Sequence, residues 1–152
     1  MGPHIGDGIA ELTMAKKNFK VVSLVYAFIF SMNLFAEEGS SNRVVILQPQ
    51  NGEEVNQTFE VYFGIEGMTL APAGTYEPAT GHHHLIIDAD LPNLSLPIPS
   101  SSNYLHFGNG QDRTQITLTP GKHTLQLLLG DGNHMPHKQP LISKKIEITV
   151  KP

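Results

Sequence analysis

The sequence has 152 residues, of which 39% are hydrophobic and 16% charged, and this is a single-domain size with enough apolar content for one core. Its formal net charge is −4 and no basic stripe is visible, so we expect no binding to nucleic acid, because phosphate neutralisation needs clustered Lys and Arg. The absence of cysteine excludes disulfides, thiolate metal sites and a cysteine nucleophile.

The amino-terminal part of the sequence is predicted to precede the folded domain. Residues 1–13 form a polar, Gly-rich leader whose origin the sequence does not specify. Residues 14–36 have the pattern of a signal peptide, with three lysines, the ten apolar residues 21–30 and expected cleavage near Ala36. Ten apolar residues are short for a membrane span, although an uncleaved anchor is the alternative. We therefore expect a periplasmic or secreted protein with one domain over residues 37–152.

The charge of this mature segment bears on its partners. Residues 37–152 contain seven Lys and Arg against twelve Asp and Glu, which gives a net charge of −5. An acidic surface does not suit binding to anionic membranes, so we expect no membrane association after signal cleavage. The sequence does not specify the oligomeric state.

Short apolar runs between turn signals predict strands along the mature segment. Residues 58–66 alternate most clearly, with four apolar side chains on one side. The other predicted strands are residues 44–47, 81–88, 104–107, 114–119, 122–129 and 142–150. About seven short strands, with 14 Gly and 11 Pro and no convincing helix, predict an all-β fold, an immunoglobulin-like antiparallel β-sandwich.

Two longer connections separate the predicted strands. Residues 68–80 are rich in Pro and Gly and long enough to be a functional loop. Residues 91–102 contain three prolines, which exclude a helix and favour an extended edge or a crossover.

Three consecutive histidines open the strand predicted over residues 81–88. Because strand side chains alternate between faces, His82 and His84 share one face, and His83 shares the other with apolar residues that should face the core. This leaves an open His-x-His pair about 6–7 Å apart along the strand, a spacing that one Zn²⁺ or Cu²⁺ ion can bridge. The alternative is a polar sheet face whose histidines bond to neighbouring loops.

Three later histidines and one methionine are further candidate ligands. His134, Met135 and His137 lie in the loop of residues 130–140, and imidazole with a thioether suits copper, especially Cu(I). The alternative is a rigid turn in which these histidines cap carbonyls. His106, next to a glycine-rich turn, is expected to approach the same end of the sandwich.

The remaining polar candidates are expected to be structural. His83 and His123 fall in phase with core residues, so they should donate to backbone carbonyls. Asp88 could orient a ligand imidazole, but the simpler interpretation, which we favour, is that it ends the strand.

Several motifs follow one another along the mature segment. They are residues 81–88 (GHHHLIID), 97–99 (PIP), 106–111 (HFGNGQ), 120–127 (PGKHTLQL), 131–137 (DGNHMPH) and Ser143. In this order they resemble the bacterial exported family known as domain of unknown function 4399. The resemblance spans nearly all of the mature segment and implies export and a single domain, but no established activity.

A more local resemblance is to periplasmic copper-resistance proteins of the CopC type. In that family a Pro-Gly turn and a long strand lead to an Asp-Gly-His element, which supplies a copper ligand before the final strand. A similar order occurs here at residues 120–121, 122–129, 131–134 and 142–150, with one residue inserted before the histidine and without that family's amino-terminal histidine. The resemblance implies copper by analogy alone.

Together these patterns predict an exported histidine-rich binding protein that holds a transition metal, with copper favoured and zinc possible, for handling or delivery. The expected ligands are His82, His84, His106, His134, His137 and Met135. One alternative is a metal-free structural or interaction module of the cell envelope that binds another envelope protein or a glycan. Another is a cupin-like metalloenzyme, although residues 120–123 have the wrong spacing for a second cupin motif. We expect no enzyme, because neither a Gly-x-Ser-x-Gly elbow nor a phosphate-cradling glycine loop occurs.

Overall fold

Nine β-strands and no helix make up the regular structure of residues 41–152, which are the residues that a computed structural model of the chain describes. The strands are β1 (Arg43–Gln48), β2 (Glu54–Val55), β3 (Thr58–Glu66), β4 (Thr69–Leu70), β5 (Thr80–Ile87), β6 (Tyr104–His106), β7 (Arg113–Thr117), β8 (Gly121–Gly130) and β9 (Ile146–Val150). The predicted leader and signal peptide lie outside the described residues. None of the described residues forms a helix that could cross a membrane.

The strands pair into two sheets. One sheet has the order β1-β3-β7, and the other has the order β2-β9-β8-β5-β4, with β6 also paired to β5. Pairing is antiparallel except at the two-residue strands, since β2 runs parallel to β9 and β4 runs parallel to β5. The chain therefore folds as the predicted immunoglobulin-like β-sandwich. The two shortest strands account for the difference between about seven predicted strands and nine.

The apolar faces of the two sheets pack against each other to form the main core. From the three-stranded sheet, β3 contributes the buried Val61 and Phe63. From the six-stranded sheet, β8 contributes Leu125, Leu127 and Leu129. Each set recurs at every second residue, so the pleat of the strand places it on a single face.

A second, smaller apolar cluster forms on the outer face of the six-stranded sheet. It consists of the buried residues Ile86, Leu128 and Ile98. Ile98 belongs to the proline-rich residues 91–102, and its backbone N–H donates to the carbonyl oxygen of His134 at 2.8 Å. This segment and the loop after β8 therefore cover the outer face at β5, which the sequence analysis left open.

The last strand is shorter than the sequence predicts. Strand β9 begins at Ile146, whereas Ile142 makes only an isolated bridge with Leu128. Between them, the hydroxyl of Ser143 accepts a hydrogen bond from the backbone N–H of Leu127 at 2.8 Å. The chain therefore stays beside β8 before the regular ladder starts.

His123 has the structural role that its phase predicts. Its Nδ1 lies 2.5 Å from Oδ2 of Asp88, and its Nε2 donates to the carbonyl oxygen of Thr119 at 2.8 Å. Burial lowers the pKa of His123, but the hydrogen bonds to Asp88 and Thr119 outweigh it and raise the pKa above the ordinary value. Asp88 ends β5 at a φ of 51° and also accepts from the N–H of Thr124 at 2.7 Å.

The main core gives a direct test of the burial assigned to β8. Leu127 has 0% exposed surface. We expect Leu127→Ala to lower the free energy of unfolding by about 2–5 kcal/mol, because it removes buried contacts and leaves a cavity. Urea denaturation measures this change. The matched variant Leu47→Ala, at a site 51% exposed, should stay within about 0.5 kcal/mol of wild type. Equal stability of the two variants would contradict the assignment.

Candidate metal centre

The two outward histidines of β5 lie under the covered part of the outer face. His82 and His84 both have 0% exposed surface, and their ring centroids are 4.9 Å apart. The prediction of an open pair is therefore wrong, because distant segments fold over this face. The division of the histidines between two faces is right, since His83 packs on Phe63 in the main core with ring centroids 5.1 Å apart.

Strand β6 brings a third imidazole to the pair. His106 lies directly opposite His84 in the antiparallel ladder, so the two side chains share a face. Its ring centroid is 5.1 Å from that of His84 and 5.0 Å from that of His82. Possible ligand nitrogens of these three histidines all lie within 4.8 Å of one another. His106 is exposed, so the trio has a buried base and an accessible rim.

The loop after β8 adds a fourth imidazole, from His134. Its Nε2 lies 3.1 Å from Nε2 of His106, a hydrogen bond in which one ring donates and the other accepts. Its ring centroid is 5.0 Å from that of His82 and 6.0 Å from that of His84. The structure therefore brings together four of the six predicted ligands.

Asp131 shapes the loop that carries His134. Its Oδ1 accepts hydrogen bonds from the backbone N–H groups of Asn133 at 2.8 Å and Met135 at 2.9 Å. Its carbonyl oxygen accepts from the N–H of His134 at 2.9 Å, and His134 adopts a φ of 63°. This role of Asp131 was not predicted from the sequence pattern.

The other two predicted ligands, His137 and Met135, make no described ring or hydrogen-bond contact with these four histidines, although the charge of His137 acts on His82. His137 is half-buried, and a Cβ atom on Gly81 would lie 3.0 Å from its Nε2, which has no hydrogen-bond partner. Together with Lys138, it lines a separate cavity of about 760 Å³. The contacts described for Met135 are those of its backbone with Asp131, so they give the thioether prediction no support.

The buried imidazoles lack hydrogen-bond partners. Among the described residues, both ring nitrogens of His82 and both of His84 are buried with no partner. Buried polar groups are normally hydrogen-bonded, because leaving one unpaired costs about 1–3 kcal/mol. The same is true of His83 in the main core, where the expected bond to a carbonyl is absent. At the outer face, however, the unpaired nitrogens of His82 and His84 lie close to a ring nitrogen of His106, within 4.8 Å.

Burial favours the uncharged form of the pair His82 and His84. Burial, reinforced by repulsion from His106, His134 and His137, lowers the pKa of His82 to about 4, although the Asp131 carboxylate opposes the shift. Burial, followed by repulsion from His82, lowers the pKa of His84 to about 3. Burial and then His134 lower the pKa of His106. Neutral imidazole is the form that binds metal, so His82 and His84 offer ligand lone pairs at neutral pH.

The nitrogen set suits a borderline transition metal. Ligand nitrogens around Zn²⁺ at roughly 2.0–2.1 Å lie about 3.3 Å apart, so nitrogens already within 4.8 Å need only small ring movements to converge. Imidazole suits zinc, copper and nickel, whereas Ca²⁺ and Mg²⁺ prefer oxygen ligands.

Two glycines that the sequence analysis passed over make room for the rings. A Cβ atom on Gly130 would lie 2.8 Å from Cε1 of His84. A Cβ atom on Gly108 would overlap the ring of His106. The signal available in the sequence was the position of each glycine. Gly130 ends the strand that pairs with the histidine strand, and Gly108 follows the candidate ligand His106 by two residues.

Comparison with known proteins places the domain in a family. Residues 61–151 match the family described as Domain of unknown function (DUF4399), which is more than half of the 152 residues. The chain belongs to the DUF4399 family. The four clustered histidines all lie within the matched part, but the description of the family assigns no activity. No curated protein matches the chain.

Among solved structures, this DUF4399 chain is similar to an endo-β-1,4-mannanase from Thermotoga petrophila, with 16% identity and a TM-score of 0.45. That similarity covers 83% of this chain but only 22% of the mannanase chain. It is also similar to fibronectin(III)-like modules of CbhA from Clostridium thermocellum, with 11% identity, a TM-score of 0.37 and coverage of 71% and 95%. Neither similarity bears on the chemistry of the histidines.

The lowered pKa values predict that the metal-free DUF4399 domain loses stability in acid. Histidine in the unfolded chain titrates at about 6.5. In the folded chain the pKa is lowered to about 4 for His82 and His83 and to about 3 for His84. Below pH 6.5 the unfolded chain therefore binds more protons, and the free energy of unfolding should fall as the pH drops from about 6.5 to about 4. Urea denaturation with a chelator present measures this.

His83→Leu is the matched variant for this measurement. It replaces one of the three buried imidazoles with an apolar side chain, so its stability should fall less steeply over the same pH range. His123 does not affect this comparison, because the stability from its raised pKa is fully present below pH 6.5 and is lost only at higher pH. An identical pH dependence in wild type and His83→Leu would contradict the prediction.

Proposed function

We propose that this DUF4399 domain binds a transition-metal ion through His82, His84 and His106, with His134 as the fourth imidazole. The observation that carries the proposal is the fully buried pair, whose unpartnered ring nitrogens lie within 4.8 Å of those of a third histidine. Leaving these lone pairs unpaired lowers stability, and one metal ion would engage several of them at once. A hydrogen-bonding role would instead require donors or acceptors beside them.

Copper is the favoured ion and zinc the alternative. Divalent copper binds nitrogen ligands more tightly than zinc in the usual order of affinities, and Cu(I) also accepts imidazole. The four imidazoles contribute no negative charge, and Asp131 is the carboxylate whose field acts on His82. A partly compensated site of this kind accommodates a singly or doubly charged ion.

Handling or delivery of the ion is the proposed role. His106 is exposed, whereas His82 and His84 are not, so an ion held by all three would be reachable from the side of His106. Access from one side suits exchange with another molecule. The predicted signal peptide, residues 14–36, would place this activity in the periplasm or outside the cell.

Removing the buried pair tests the proposed ligands. We expect the double variant His82→Ala/His84→Ala to bind Cu²⁺ and Zn²⁺ at least about 100-fold more weakly than wild type in competition titrations, because two of the nitrogen ligands are lost. His83→Leu is the matched control, since it lies on the same strand but on the opposite face, and its affinity should stay near that of wild type.

Unchanged affinity in the double variant would remove these residues from the site. Purified wild-type protein that takes up neither metal, yet co-isolates with a stable envelope protein, would favour the interaction module instead.

Metal binding should also stabilise the fold selectively. A ligand that binds only the folded protein adds about 2.7 kcal/mol at a free concentration of 100 times Kd, so Cu²⁺ and Zn²⁺ should raise the melting temperature. Equal concentrations of Mg²⁺ and Ca²⁺ should not, because these ions prefer oxygen ligands. Thermal unfolding in metal-buffered solution measures the shift, which should vanish in His82→Ala/His84→Ala. Equal shifts with Mg²⁺ and Zn²⁺ would indicate a general charge effect.

A further inference from the structure

The two imidazoles at the rim of the cluster come from segments with no local connection. His106 ends β6, and His134 lies in the loop after β8, 28 residues later, yet their Nε2 atoms are 3.1 Å apart. His106 stands at the end of a strand and His134 in a loop, so their spacing depends on what fixes the loop backbone relative to the strand.

A third segment bonds to both backbones. The N–H of Ala73 donates to the carbonyl oxygen of Gly108 at 2.9 Å, two residues after His106. The next N–H, from Gly74, donates to the carbonyl oxygen of Gly132 at 2.9 Å, two residues before His134. Successive residues of one turn therefore hold the two ligand-bearing segments side by side.

A side-chain bond and the segment's own turn strengthen this arrangement. The hydroxyl of Tyr76 donates to Oδ1 of Asn133 at 3.2 Å, next to His134. Within the turn, the N–H of Thr75 donates to the carbonyl oxygen of Pro72 at 3.1 Å. Residues 72–76 are called the bracing segment below.

The bracing segment is itself tied to the strand that carries the buried pair. The N–H of Ala71, directly before it, donates to the carbonyl oxygen of Gly81 at 2.9 Å, and strand β4 pairs with the start of β5. The backbone of residues 71–74 is therefore hydrogen-bonded to all three segments that carry the clustered histidines.

Gly132 is the point of closest approach between the bracing segment and the His134 loop. A Cβ atom there would overlap the carbonyl oxygen of Thr75 and would lie 3.0 Å from its carbonyl carbon. Backbone atoms cannot swing aside as the end of a side chain can, so any larger residue would push the loop away from the segment. The ring of His134 would move with the loop.

We propose that the bracing segment positions His134 against His106, and that Gly132 is the residue through which it does so. This inference rests on the proposed metal function, because it determines whether the ion meets four imidazoles or three. It also assigns a role to residues 72–76, the part of the Pro- and Gly-rich connection that follows strand β4.

The test compares Gly132→Ala with His134→Ala and with the variant that combines both. We expect Gly132→Ala to weaken Zn²⁺ binding about 10–100-fold, as changes next to metal ligands do, and to reduce the imidazoles counted by X-ray absorption from four to three. In the His134→Ala background the same change should cause no further loss. Wild-type affinity in Gly132→Ala, or an equal loss in both backgrounds, would overturn the inference.

Gly64→Ala is the matched control. It makes the same chemical change on the other sheet, where the nearest atoms are side-chain atoms of Val45 and Leu47, so metal affinity should not change. Should Gly132→Ala fail to fold, Tyr76→Phe replaces it, since this removes only the bond to Asn133. A smaller loss, absent in the His134→Ala background, supports the inference, and no loss overturns it.

A metal-free measurement separates this inference from the proposed function. If wild type binds neither Cu²⁺ nor Zn²⁺, the proposed function fails and the positioning is judged by nuclear Overhauser contacts between the rings of His106 and His134. Loss of these contacts in Gly132→Ala, with the rest of the spectrum retained, supports the positioning. Contacts like those of wild type overturn it.

Discussion

The burial of two unpartnered imidazoles on the outer face of β5 is the constraint on which the rest of the site depends. An alternating strand with His82 and His84 on one face would ordinarily turn that face to water. Here a proline-rich segment, a neighbouring strand and a loop close over it, and the desolvation of the rings is not offset by hydrogen bonds. The local arrangement is therefore less stable than an apolar one, which is a common property of functional sites.

The sandwich can sustain this local cost because the two faces of β5 do different things. On the inner face, Leu85 and Ile87 belong to the main core, which joins both sheets. On the outer face, Ile86 belongs to the small cluster that lies beyond the histidine pair along the strand. The inner face of β5 therefore contributes more buried apolar side chains than the outer face, which carries the imidazoles.

The structural features that depend on local periodicity were predictable from the sequence. Alternation placed His83 in the core and its neighbours on the other face, and the turn signals predicted the sandwich, because a period of two is a property of the strand itself. The burial of the pair was not predictable in this way. It depends on where residues 91–102 cross the sheet and on the register that sets His106 opposite His84, and both are properties of the tertiary fold.

The wide spacing of the clustered histidines along the chain has a consequence for when cargo can be acquired. An extended polypeptide can offer an ion only histidines that are near one another in sequence, such as residues 82–84, since His106 and His134 join His82 and His84 through long-range pairing. Binding of an ion by all four imidazoles would therefore require the folded domain. On the proposed function, and with export through the predicted signal peptide, the chain would acquire its ion only after translocation and folding.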